Sequence, residues 1–313
     1  YYSDFIKGNY FIKLFKFSII TFLFSFPISI FINYEINLSS VFINMVFVPL
    51  VSLIVYPLAL ISFVFPFLNP VFNILIALTN TLSSIFTKLS IFINIPKVSI
   101  LFVFILYIFI LLFKYNKRCI LYLLITILII KIIPRFDSNF YAYYLDVGQG
   151  DSAILIYPYK SKVVMLDTGG KLNYSEYEWM ISSKKYNISD NVIKFLKSKG
   201  ITKINYLILT HGDSDHMKES INLINNYKVD MVIFNCGSYN DLEKELIKVL
   251  DKKNIKYYSC IKELNVDNNK LYFLQTKEYD NENDNSNVIY TKMNGYKFMF
   301  MADAGTEKEK DIL

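Results

Sequence analysis

Two regimes of hydrophobic patterning divide the chain. Up to about residue 135 the apolar residues run in long unbroken stretches, and beyond it they come in short runs separated by polar turns. Stretches 17–33, 41–65, 98–113 and 119–133 each read as a membrane-spanning helix. The last two are short: even the longer, of sixteen residues rising about 1.5 Å each, covers about 24 Å, against a hydrocarbon core of about 30 Å. Lys7, Lys13 and Lys16 precede the first stretch, and Lys114, Lys117 and Arg118 fill the turn between the last two. Both positions read as cytoplasmic by the positive-inside rule, and reconciling them requires a fifth crossing. Residues 71–92 supply it, with Asn73, Asn80, Ser84, Thr87 and Lys88 recurring on one side. Two readings of that stripe remain: a spanning helix facing a watery path or polar neighbours, and an amphipathic helix in the interface.

After residue 135 the short runs predict strands at 140–145, 153–157, 163–166, 204–209, 231–234, 271–274, 288–291 and 298–301, with helices at 190–199, 216–226 and 241–252. Early strands follow one another through turns and later ones partly through helices, which predicts two packed sheets with outer helices. The domain expectation is a transmembrane region over 1–135 and an α/β domain over 136–313. Absence of an initiator Met and an unfinished helix after Asp303 give the sequence the look of a fragment at both ends.

Charge follows the same division. Residues 1–135 hold ten Lys/Arg against two acids, +8, and the remainder holds 23 bases against 25 acids, −2. The second part therefore has no generally basic face for nucleic acid, though local patches are compatible with that sum. Lys244, Lys248 and Lys252 share a helical face but stand among acids, as on a solvated helix surface. Cys236 and Cys260 each follow an apolar run. Buried free thiols are the plainer reading, with a disulfide as the alternative if their strands are neighbours.

The chemistry concentrates in Thr210-His211-Gly212-Asp213-Ser214-Asp215-His216, which contains both histidines of the chain and follows a buried strand. Imidazole and carboxylate side chains on a turn at a strand's C-terminal end suit a divalent metal. Asp167, ending a strand before Thr168-Gly169-Gly170, and Asp303, after the strand at 298–301, are positioned to join them at one sheet edge. Asp146-Val147-Gly148-Gln149-Gly150-Asp151-Ser152 forms a further strand-to-strand turn.

At these residues the chain resembles the metallo-β-lactamase fold superfamily, and more closely the ComEC-type DNA-uptake competence proteins. The resemblance extends from Val41 to Asp303. It includes Phe47-Val48-Pro49-Leu50-Val51-Ser52-Leu53, the run from Leu145 to Ser152, Leu166 to Gly170, Thr210 to His216 and Asn285-Ser286. It implies a polytopic helical membrane region followed by an αββα sandwich that is incomplete at its C-terminus. It also implies two divalent ions, Zn²⁺ or Mn²⁺. His211 and Asp213 would bind one, Asp215 and His216 the other, and Asp303 would bridge them. Asp215 and Asp167 would be the catalytic carboxylates, Asp167 by orienting the site from behind the ligands.

The superfamily's usual turn has His where Asp213 stands, a departure shared by ComEC-type domains, and the added carboxylate brings Mn²⁺ into contention with Zn²⁺. Glu282-Asn283-Asp284-Asn285 occupies the place where many members supply a third histidine, and the family's later histidine-rich segment is absent before Leu313. The function implied is DNA internalisation during competence: passage of one strand through a multi-pass cell-membrane channel, with an outer-face nuclease acting on the other. DNA, the bilayer and other competence proteins are the implied partners. The alternatives are a membrane-anchored metallo-hydrolase of another substrate class and a transport or structural protein with an inactive hydrolase-like domain.

Overall fold

The chain forms two compact units, Tyr1–Lys131 and Ile132–Leu313. In the computed structural model the described residues are 8–148, 150–170, 187–275 and 277–313. Lys7 of the basic N-terminal group and Gln149 of the strand-to-strand turn lie outside them.

The first unit contains helices α1 (Tyr10–Asn33), α2 (Ser40–Leu50), α3 (Tyr56–Val64), α4 (Asn69–Leu89), α5 (Ile100–Leu112) and α6 (Cys119–Ile132). Among the described residues, four helical stretches are long and apolar enough to cross a membrane: Tyr10–Asn33, Ser40–Val64, Pro66–Leu89 and Cys119–Phe136; α5 is shorter. A π-helical turn at Val51–Val55 joins α2 to α3. The widened turn accommodates Pro57, whose ring crowds the carbonyl one turn back and which lacks an N–H to donate. Phe26, Ile30, Val103, Leu106, Ile110 and Leu123 pack α1, α5 and α6 together, and Tyr107 donates to the Phe24 carbonyl at 2.8 Å. Other large apolar side chains point outward, Phe63 and Phe67 among them, as hydrocarbon-facing positions do. Asn73, Asn80, Ser84, Thr87 and Lys88 all lie exposed on α4. An unanticipated two-stranded ribbon pairs β1 (Glu35–Asn37) with β2 (Phe92–Asn94). Three residues per strand are too few to show an alternation.

The second unit is built on two sheets. One is a mixed six-stranded sheet in spatial order β3 (Tyr141–Tyr144), β4 (Ala153–Ile156), β5 (Val163–Leu166), β6 (Tyr206–Ile208), β7 (Met231–Phe234) and β8 (Lys256–Ser259). The other is antiparallel: β9 (Glu263–Val266), β10 (Asn269–Phe273), β11 (Ile289–Met293) and β12 (Tyr296–Phe300), in the order β12-β11-β10-β9. Strands β5 to β8 pair parallel. Their connections carry α7 (Ile188–Ser198), then α8 (Ser214–Met217) with α9 (Ser220–Asn226), then α10 (Asp241–Lys253); α11 (Thr306–Ile312) follows β12.

Strand periodicity explains the layering. Ile154, Ile156, Met165, Leu207, Val232 and Phe234 face α7, α9 and α10. Their neighbours Leu155, Val164, Leu166, Ile208 and Ile233 meet Leu271, Phe273, Ile289 and Phe300 of the second sheet. This is a helix–sheet–sheet arrangement within the expected αββα class.

Three expectations need correction. The helix expected over 216–226 is two helices, α8 and α9, and α8 begins at Ser214, so Asp215 and His216 belong to its first turn. Strands β8 and β9 are not among those the apolar pattern predicts. Lys256-Tyr257-Tyr258-Ser259 is largely exposed and Glu263-Leu264-Asn265-Val266 alternates with only two apolar residues. Cys236 and Cys260 are a disulfide, with Cα atoms 4.5 Å apart, and not free thiols. Parallel pairing sets Phe234 opposite Ser259, which brings the two cysteines together just beyond the paired ends.

Candidate metal centre

The parallel strands β5 and β6 end side by side, with Leu166 opposite Ile208, so Asp167 and Thr210 emerge together at their C-terminal edge. Asp167 adopts a left-handed backbone, φ 53°, a conformation costly for a residue other than glycine. Its carboxylate is almost fully enclosed and accepts three hydrogen bonds. The Thr210 N–H reaches Oδ1 at 2.8 Å, and the Thr210 hydroxyl reaches Oδ2 at 2.6 Å. The third comes from His216 Nδ1, 3.0 Å from Oδ2. With Nδ1 so engaged, His216 turns Nε2 towards Asp303 Oδ1 at 3.2 Å.

His211 lies beside it, ring centroids 4.1 Å apart and ring planes tilted by 49°. Its Nε2 is buried with no hydrogen-bond partner, and Asp213 Oδ2 stands 3.5 Å away. One ligand atom each from His211, His216 and Asp303 falls within 4.8 Å of the others. A buried imidazole nitrogen left unpaired is costly, and one facing a second imidazole and carboxylates has the surroundings of a metal ligand. The residues fit a divalent ion. Asp213 flanks this trio, and Asp215 acts on His216 as a nearby negative charge.

Burial works against a charge on His216. The Asp167 hydrogen bond and the charges of Asp167, Asp303 and Asp215 outweigh it and push the imidazole pKa up to about 9.

The turn is held from several sides, in part by Asn287 and Asn240, which no sequence motif marks. Asn287 donates its N–H to the Thr210 carbonyl at 2.7 Å and its amide to the Leu209 carbonyl at 3.1 Å. The Asn240 amide donates to the Gly212 carbonyl at 2.6 Å, and the Gly212 N–H reaches Glu282 Oε1 at 3.3 Å. Thr168 donates its N–H to the His216 carbonyl at 2.7 Å. Two glycines permit close approach: a Cβ on Gly150 would lie 1.8 Å from the Asp215 carbonyl oxygen, and one on Gly170 1.9 Å from that of Ser214.

Asp151, next to Gly150, also borders the site. Burial raises its pKa, the histidines counter that, and the carboxylates of Asp167 and Asp303 add to it. The Gly148-to-Ser152 turn is a visible signal in the sequence, but nothing in it singles out this carboxylate.

Geometry and sequence relationships converge on one class. Residues 2–118 match the competence protein family and residues 145–231 match the metallo-β-lactamase superfamily. The chain therefore carries a competence-protein domain followed by a metallo-β-lactamase domain, the latter bearing the histidine cluster. It is similar to ComE operon protein 3 of Bacillus subtilis (strain 168), with 26% identity over 320 residues, taking in 95% of this chain and 41% of that protein. The chain thus spans about two fifths of the length of that relative.

Likeness to solved structures is weak. The metallo-β-lactamase fold protein YhfI from Bacillus subtilis gives a TM-score of 0.33 at 10% identity, covering 53% of this chain and 61% of that one. The metallo-β-lactamase superfamily protein ST1585 from Sulfolobus tokodaii gives 0.30 at 13% identity, covering 50% and 61%.

Proposed function

We propose that this chain is a membrane component of DNA internalisation during competence, and that its metallo-β-lactamase domain is a metal-dependent nuclease on the outer face of the membrane. The observation that carries the reading is the cluster of His211, His216 and Asp303, set in a chain whose apolar region matches the competence protein family. The Cys236–Cys260 disulfide supports the outer face, since disulfides persist in oxidising surroundings. Other competence proteins are the partners this reading implies.

In this reading His211, His216 and Asp303 would hold a divalent ion, and Asp213 and Asp215 would extend the donor set towards a second, Zn²⁺ or Mn²⁺. Such ions supply Lewis acidity towards a phosphoryl oxygen and towards water. The chain's own residues do the rest. Asp167 fixes the ring plane and the Nδ1 proton of His216, so that Nε2 presents its lone pair to the site. Asp215, half-buried beside His216, would serve as the catalytic carboxylate. Thr210, Asn287 and Asn240 hold the turn so that the ligands keep their spacing.

The test is cleavage of single-stranded DNA by the purified chain with added Mn²⁺ or Zn²⁺. Loss of cleavage in both Asp215→Asn and His216→Ala is the expected result, and cleavage unaffected by either change would remove the assignment.

A further inference from the structure

The parallel strands end at the metal centre, and their opposite ends carry a charge pattern that the centre does not use. Register sets Val164 beside Tyr206, Leu207 beside Val232 and Met231 beside Lys256, so the four strands begin level with one another. Each is entered past a lysine: Lys162 before β5, Lys203 before β6, Lys228 before β7 and Lys256 at the first position of β8. From Lys162 to Asp167 the strand climbs five residues at about 3.3 Å each, so this basic edge lies about 16 Å from the carboxylate behind the histidines. Arg135 and Lys160 join it. Burial, together with the charges of Lys199 and Arg135 against that of Asp137, pushes the Lys160 pKa down to about 8.

Part of this charge serves the domain itself. Helices α7, α9 and α10 run back from the metal end and finish at this edge, where their last carbonyls need partners. Lys160 donates to the Lys199 carbonyl just past α7, and Lys253 to the Ile224 carbonyl of α9 at 2.9 Å. Lys203 pairs with Asp230, and Lys199 donates to the Tyr143 hydroxyl at 3.0 Å. Nearby carboxylates are engaged as well, Asp137 accepting from the Tyr141 hydroxyl at 2.9 Å and Asp267 from Ser161. Arg135, Lys162, Lys228 and Lys256 remain without a carboxylate partner among the described residues. Lys162 is half-buried and the other three are exposed.

Chain continuity identifies what lies against this edge. Residues Ile133–Phe136 complete the apolar stretch Cys119–Phe136, which is long enough to cross a membrane, yet they belong to the compact second unit. The next residue, Asp137, accepts the Tyr159 N–H at 2.6 Å, which fastens the turn Pro158–Lys160 to the end of that stretch. Ile133, Phe136 and Tyr159 are each more than half exposed, at 58%, 74% and 58%, as suits the boundary between acyl chains and headgroups. Tyrosines and long basic side chains gather at that level of a bilayer. A polynucleotide would match the lysines but not the apolar side chains that continue the membrane stretch. We propose that the basic edge of the parallel sheet docks the domain on anionic phospholipid headgroups, with Arg135, Lys162, Lys228 and Lys256 at the phosphates and Ile133, Phe136 and Tyr159 at the acyl boundary. The proposal goes beyond the nuclease reading and requires only that the apolar stretches cross a bilayer. It leaves the histidine cluster at the strand ends away from the lipid.

The test uses the full chain carrying Cys119→Ser, reconstituted in nanodiscs of phosphatidylcholine with or without phosphatidylglycerol. A fluorophore on Thr202→Cys, next to Lys203 on the edge, or on Asp241→Cys, at the metal end of α10, reports approach to a quencher carried on lipid headgroups. Phosphatidylglycerol should raise quenching at 202 and leave 241 unchanged, and high salt should abolish the difference. A basic side chain near an anionic surface contributes about fivefold to binding. Lys228→Gln alone should therefore lower the ratio of docked to free domain about fivefold, and Lys162→Gln, Lys228→Gln and Lys256→Gln together about a hundredfold. Metal content and circular dichroism equal to wild type establish that the variants are folded.

Quenching at 202 that is the same in neutral and phosphatidylglycerol discs, or that survives the three substitutions, overturns the docking; if Mn²⁺-dependent cleavage persists in that case, the nuclease reading stands without it. A fluorescent thymidine 20-mer that binds the chain in neutral discs with EDTA present, and is lost on the same substitutions, also overturns it, in favour of nucleic acid. Lipid-dependent quenching in a chain that never cleaves DNA upholds the docking and removes the nuclease reading.

Discussion

Asp167 and His216 are joined by a hydrogen bond of 3.0 Å between Oδ2 and Nδ1, and both side chains are almost completely enclosed. The pair ties the end of β5 to the first turn of α8, and it aims the other ring nitrogen of His216 at Asp303. Replacing Asp167 by Asn removes the charge while keeping the shape. Partners that orient a metal-bound histidine are worth about 10–100-fold in affinity, so Asp167→Asn should weaken Mn²⁺ or Zn²⁺ binding by that factor in a competition titration against a fluorescent chelator. Unchanged affinity would mean that Asp167 serves only the turn.

The same pair sets a pH dependence. The His216 pKa is raised in the folded protein to about 9, against about 6.5 in an unfolded chain. In chelator-treated protein its stabilising contribution is therefore complete below about 6.5 and is lost as pH rises through about 9. The chain has two histidines, so ring resonances of ¹³C-labelled histidine can be followed individually. One should titrate near 9 and fall towards about 6.5 in Asp167→Asn. Two ordinary titrations in the wild-type protein would contradict the arrangement.

Gly170 carries a steric prediction. A Cβ there would lie 1.9 Å from the Ser214 carbonyl oxygen, so Gly170→Ala must push the first turn of α8 away from the β5 loop. Overpacking of this kind costs about 1–3 kcal/mol, and displacement of His216 should weaken metal binding as well. Chemical denaturation together with the chelator titration measures both. A stable variant with full metal affinity would show that the loop yields freely.

The disulfide supports the site at a distance. Cys236 and Cys260 close a loop of 24 residues, which in the chain-entropy account is worth about 3 kcal/mol. Asn240, four residues beyond Cys236, donates to Gly212 between two of the proposed ligands. Cys236→Ser with Cys260→Ser should lower the denaturation midpoint by a corresponding amount and loosen metal binding modestly. Loss of stability alone would confine the bridge to the fold.

Much of this arrangement is visible in the sequence because it depends on local pattern. Uninterrupted apolar stretches mark the helices of the first unit, and short buried runs mark β4, β5, β6 and β7. Asp167, Thr210, His211 and His216 stand at strand ends that this pattern already locates. What escapes depends on register or on distant partners. The disulfide is hidden because β8, with its exposed tyrosines and serine, does not look like a strand, and only its pairing with β7 brings Cys260 to Cys236. Asn287 and Asn240 reach the histidine turn from 78 and 28 residues away, and no local spacing signals either. The division of α8 from α9 is a matter of how Lys218 and Glu219 turn between two segments of similar helical periodicity.

The central claim is that His211, His216 and Asp303 form a divalent metal centre. Elemental analysis of the full chain, loaded with Mn²⁺ or Zn²⁺ and dialysed, tests it most directly beside His211→Ala, His216→Ala and Asp303→Asn. The account predicts at least one tightly held ion per chain in the wild type and its loss in each variant that retains a folded circular dichroism spectrum. A wild-type chain that holds no ion, or folded variants that hold as much as the wild type, would contradict it.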